Sequence, residues 1–95
     1  MHTWQINAFT VQDPSGFLSS TLIEEFSGSA EEAKERLHAH ARNFKGDASK
    51  VKRRRIFSDG DRALRVAIDD KWRKFETVLQ LSELIFDSAT EEEAG

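Results

Sequence analysis

The sequence predicts an α+β fold: an antiparallel sheet of four or five strands with one helix packed on one face, in the order β-β-α-β-β-β. Three observations carry this expectation. The stretch Ser29 to Phe44, SAEEAKERLHAHARNF, obeys helix rules at its start, along one stripe and in its charge order. Two turn signals, Asp13-Pro14-Ser15-Gly16 and Asp59-Gly60, each separate runs rich in β-formers. Residues 62–69 and 74–81 alternate apolar and polar side chains with the period of a half-buried strand.

Residues 3–11, TWQINAFTV, form the first expected strand. Trp4, Ile6 and Ala8 share one parity and Phe9 and Val11 the other, so a bulge is expected near Ala8. Proline and glycine in the turn at 13–16 send the chain back as a second strand from Phe17 to Phe26, closing an antiparallel hairpin. Ser29 then caps a helix, with Glu32 three residues on completing a capping box. Ala30, Ala33, Leu37, Ala41 and Phe44 line one stripe, and Gly46 is the expected C-cap. Glu31, Glu32 and Glu35 precede Arg36, Arg42 and Lys45, the order the helix dipole favours. At about 1.5 Å per residue the helix is about as long as a seven-residue strand and covers one face of a small sheet.

Lys50 to Phe57 is the third expected strand. It alternates poorly, with Val51 and Phe57 on one parity, Arg53 and Arg55 between them, and Ile56 on the other. Asp-Gly accepts positive φ at both positions and predicts a short hairpin into the fourth strand, where Leu64, Val66 and Ile68 share a face. In the fifth, Phe75, Thr77, Leu79 and Leu81 face one way while Lys74, Glu76, Val78 and Gln80 face the other. Val78, Leu81, Leu84 and Ile85 also fit a helical stripe, but Phe75, Thr77 and Val78 favour strand. Residues 1–87 are expected to form one domain and 88–95 an acidic disordered tail.

Composition narrows the function. The chain has 95 residues and no cysteine, which removes disulfides, thiolate chemistry and cysteine-ligated zinc. The start, MHTWQINAFT, has neither a basic nor an apolar leader region, and no apolar run is long enough to span a bilayer, so a cytoplasmic location is expected. His38 and His40, two apart on a helix, point about 200° away from each other and cannot share a metal. The acidic pairs Glu24-Glu25, Glu31-Glu32 and Asp69-Asp70 fit solvated faces or caps, no serine sits in a nucleophile elbow, and no phosphate loop is present. A non-catalytic protein without cofactor, membrane or small-molecule substrate is expected.

Charge is the sharpest signal. Net charge is −3, but residues 50–75 hold ten basic and four acidic side chains, between flanks that are both negative. Lys52, Arg53, Arg54, Arg55, Arg65, Trp72, Arg73 and Lys74 are the candidate binding residues. One reading is nucleic-acid binding by the basic hairpin at 50–74, with Trp72 as a stacking face. Another is that the arginines guard an edge strand against aggregation. One helix covers only one side of a sheet, so the favoured expectation is a protein-interaction or self-associating module, a homodimer or a partner of another protein. It would act through the helix-free face or an edge, with Trp72 as its anchor.

Overall fold

The computed structural model describes residues 2–12, 17–46, 48, 50–71 and 73–89. It contains the expected order: β1 (His2–Gln12), β2 (Phe17–Gly28), α1 (Ala30–Asn43), β3 (Arg53–Ser58), β4 (Ala63–Asp69) and β5 (Lys74–Glu83). The five strands form one antiparallel sheet, arranged β2-β1-β5-β4-β3, so that the first and last strands of the chain pair at its centre. Residues 75–83 are strand, as the β-formers require, rather than helix.

The capping box forms as the sequence predicts. Ser29 Oγ accepts from the Glu32 N–H at 3.1 Å, and the Glu32 carboxylate accepts in return from the Ser29 N–H. Ala33, Leu37 and Ala41 are buried, Phe44 is half-buried and Ala30 is exposed, so the apolar stripe begins one turn later than expected. Phe44 is itself the C-cap. Gly46, at φ 53°, makes the turn beyond it.

One core joins these three helix residues to Trp4, Ile6 and Ala8 of β1, to Leu64, Val66 and Ile68 of β4, and to Leu79 and Leu81 of β5. Both sheet margins are tied to the helix by polar contacts. On β2, Glu24 pairs with Arg36 and meets His40 Nε2 at 2.9 Å. On the β3 side, Arg54 Nε donates to the Phe44 carbonyl at 2.8 Å.

Two expectations are corrected. The bulge lies in β2, not β1: Ile6 pairs with Glu24 and Asn7 with Leu22, leaving Ile23 as the extra residue. Trp4, Ile6 and Ala8 all join the core on the helix side, and Thr10 continues the row by hydrogen bonding Thr77 at 2.8 Å between hydroxyl oxygens. Phe9 is apolar because it belongs to the opposite face, not because the strand changes parity. The β3–β4 hairpin forms as expected, through a four-residue connection, 59–62, but only Gly60 has positive φ (121°), so Asp59 does not share the left-handed backbone expected of both central residues. Of the expected tail at 88–95, residues 90–95 lie outside the described residues.

Candidate functional site

The helix-free face is set by register. Reading across the sheet, Ser20, Phe9, Val78, Arg65 and Phe57 occupy one row, from β2 to β3. The row above it carries Leu22, Asn7, Gln80 and Ala63, and the next below runs through Glu76, Ala67 and Arg55. An apolar band therefore crosses the face. Phe9 and Val78 are half-buried, Phe57 is exposed and Leu22 is 53% exposed.

Long side chains cover part of this band. The Arg65 and Arg55 guanidinium groups lie 4.6 and 5.6 Å from the centre of the Phe57 ring, within cation–π range. Arg65 also reaches Asp59 at 3.2 Å and Glu76 at 3.5 Å. The hydrogen bond that Arg65 donates to Asp59, together with that carboxylate's charge, raises the Arg65 pKa above its ordinary value, so this guanidinium stays charged and held.

The structure gathers only some of the sequence-predicted binding residues. Arg53, Arg55, Arg65 and Lys74 share the helix-free face. Arg54 points to the helix side, and Arg73 stacks 5.6 Å from the Phe75 ring, whose strand position faces the helix. Lys52 is exposed just ahead of β3, with its N–H donating to the Asp69 carbonyl at 2.8 Å. Trp72 lies outside the described residues. Carboxylates interleave with the cations: Asp69 sits between Arg53 and Lys74 in one row, and Glu76 and Asp59 flank Arg65. This face alternates in sign rather than forming one positive field.

A second feature adjoins the same face and was not among the expected site residues. β5 ends at Glu83, where the Leu84 N–H donates to the Thr3 carbonyl at 2.8 Å, and the chain then leaves the sheet. Leu84, Ile85 and Phe86 are 52%, 91% and 63% exposed. They wall a notch of about 440 Å³ whose floor is Gln5, Glu25 and Ser82 of the helix-free face. Gln5 Nε2 donates to Glu25 Oε1 at 2.7 Å across that floor. The signal for it in the sequence is the unbroken apolar run Leu84-Ile85-Phe86. Isolated exposed hydrophobics need no explanation, but three in sequence form a contiguous exposed apolar patch at the border of the helix-free face.

Metal-binding geometry is not assembled among the described residues. No group of three His, Cys, Asp or Glu side chains converges, and His40 is turned to Glu24 while His38 is exposed on the helix. No described helix is long and apolar enough to cross a membrane. No family model matches the chain, and neither does any curated protein or solved structure. The surface chemistry alone therefore carries the functional reading.

Proposed function

We propose that this protein is a non-catalytic protein-interaction module whose docking surface is the helix-free face together with the Leu84–Phe86 segment. The observation that carries the reading is the 91% exposure of Ile85 between two other exposed apolar residues, beside a polar notch that opens on the helix-free face. Water gains nothing from such a segment, whereas a partner that covers Ile85 gains about 1.5–3 kcal/mol from that side chain alone. The polar notch floor and the alternating charges around Phe57 supply the rim that fixes orientation. Arginines stacked on an exposed phenylalanine are the residue types that dominate binding energy at such surfaces.

Nucleic-acid binding through Arg53–Arg55 is the competing reading. The carboxylates interleaved with Arg53, Arg65 and Lys74 weigh against it, since phosphate binding grows with the number of uncompensated cations. The two readings separate in one experiment. The wild-type chain, Ile85→Asp, and the triple substitution Arg53→Ser, Arg54→Ser, Arg55→Ser are compared for binding to a purified partner and to a short random duplex. The interaction reading expects Ile85→Asp to weaken partner binding about 10- to 100-fold, the equivalent of one buried aliphatic side chain. Salt-sensitive duplex binding that disappears in the arginine triple variant, with partner binding indifferent to Ile85→Asp, overturns it.

A further inference from the structure

The sheet has two edges, and they are treated differently. β3, at one edge, presents Arg53, Arg54 and Arg55 in succession and is only six residues long. Short length and charge are the ordinary devices that stop an edge from pairing with another chain. β2, at the other edge, is twelve residues long, and from Phe17 to Gly28 it contains no lysine, arginine or proline. From Phe17 to Ile23 it carries no charge at all. Among the described residues, no strand pairs with its outer side. Ser20, Thr21 and Leu22 are exposed there.

We infer that the β2 edge is where two copies of this chain join. Leu18–Leu22 of one copy runs antiparallel to the same stretch of the other, with Ser20 opposite Ser20 at the two-fold axis, giving a ten-stranded sheet with both helices on one face. The stretch suits self-pairing for three reasons. A two-fold axis matches antiparallel segments to themselves, and an uncharged segment meets no like charge when it does so. Small hydroxyl side chains at Ser19, Ser20 and Thr21 stand at its middle, where they allow close approach and hydrogen bond across strands. The bulge at Ile23 bends the strand and ends the pairing there, which leaves Glu24 and Glu25 of each copy beyond the joined stretch and free to keep their own partners. The joined edge also supplies the exposed Leu22 with a neighbouring strand. Two helix-free faces then lie side by side, so a partner that uses one face meets a pair. This inference concerns a different surface from the docking face and stands or falls separately.

The chain has no cysteine, which makes the test direct. Ser19→Cys, Ser20→Cys and Thr21→Cys are made singly and oxidised mildly, with Ser58→Cys on β3 as the comparison. Directly opposed antiparallel residues have the Cα separation that a disulfide accepts, so only the position on the two-fold axis joins to itself. The expected result is a covalent dimer from at least one of the three β2 variants and none from Ser58→Cys. Light scattering of the unmodified chain, from micromolar to millimolar concentration, is expected to rise to twice the chain mass. Ser20→Lys combined with Thr21→Lys, which copies the guard carried by β3, is expected to hold the chain at monomer mass with its circular dichroism unchanged. A monomer throughout that range overturns the inference, as does β2 cross-linking no faster than at Ser58→Cys. A dimer that persists in the double lysine variant but is lost in Ile85→Asp also overturns it, and assigns self-association to the docking face instead.

Discussion

Replacing Trp4 by Phe removes one N–H and part of one ring from the point where the hairpin meets the helix start. The indole is 2% exposed, its Nε1–H donates to the Gly28 carbonyl at 3.0 Å, and the Arg62 guanidinium lies 5.1 Å from the ring centre. Gly28 ends β2 and the next residue is the helix N-cap, so this one bond ties the first strand to the helix origin. Phenylalanine keeps a ring for Arg62 but leaves the Gly28 carbonyl without that donor, at a cost of about 1–3 kcal/mol. The missing ring volume, about 40 Å³, adds about 1 kcal/mol at the usual cavity cost of about 24 cal/mol per Å³. The total of about 2–4 kcal/mol is a large share of the roughly 5–14 kcal/mol expected for a chain of this length. It corresponds to a melting temperature lower by about 10–30 °C. Urea unfolding followed by far-ultraviolet circular dichroism measures it, with a shifted midpoint and an unchanged slope. A tryptophan analogue bearing sulfur in place of the ring N–H keeps the volume and isolates the hydrogen bond, with an expected loss of about 1–3 kcal/mol. A Trp4→Phe cost below about 1 kcal/mol would refute the assignment of that bond as a structural tie.

Other expectations follow from the same geometry. Leu37→Ala, at a residue 1% exposed on the helix face over the sheet, is expected to cost about 2–5 kcal/mol, while His38→Ala next to it stays within about 0.5 kcal/mol in the same urea assay. Gly60→Ala is expected to cost about 1–3 kcal/mol from backbone strain alone, because φ is 121° and an added Cβ meets no atom within 4 Å. The His40 hydrogen bond to Glu24, helped by the Arg36 charge, holds the Glu24 carboxyl below its ordinary pKa despite partial desolvation. Its stabilising share is present above the unfolded-state carboxylate pKa and is lost as pH falls through the lower folded value. Glu24→Gln is therefore expected to be less stable at neutral pH and to flatten the acid limb of urea midpoint against pH.

The helix was legible because its signals are local: Ser29 and Glu32 are three residues apart, and Ala33, Leu37 and Ala41 follow at helical spacing. β4 and β5 were legible because central strands with one face in the core alternate cleanly. The bulge was misplaced because Phe9 looked like a break in the Trp4–Ile6–Ala8 row, when it was an apolar residue of the other face. Period alone does not say which face is buried. β3 was the hardest strand, since Ile56 faces the helix and Phe57 faces away only by virtue of pairing with Val66 and Arg65 of β4.

The candidate site was less legible than the fold, for the same reason. The arginine run stands out in the sequence, but its compensation by Asp69, Glu76 and Asp59 depends on register and turn geometry rather than on the run itself. Leu84–Ile85–Phe86 was visible as an apolar run, yet its exposure follows from the end of β5 pairing at Glu83, a tertiary event.

The docking-face reading is tested most directly by photo-cross-linking from inside the producing cell. A diazirine-bearing aliphatic residue is placed at position 85, and separately at exposed position 38 on the outer side of the helix. The account predicts one discrete cross-linked protein species from position 85, absent from position 38 and lost when Leu84 and Phe86 are both changed to Asp in the same chain. Equal, diffuse labelling from both positions, or a discrete species from position 38 alone, would contradict it.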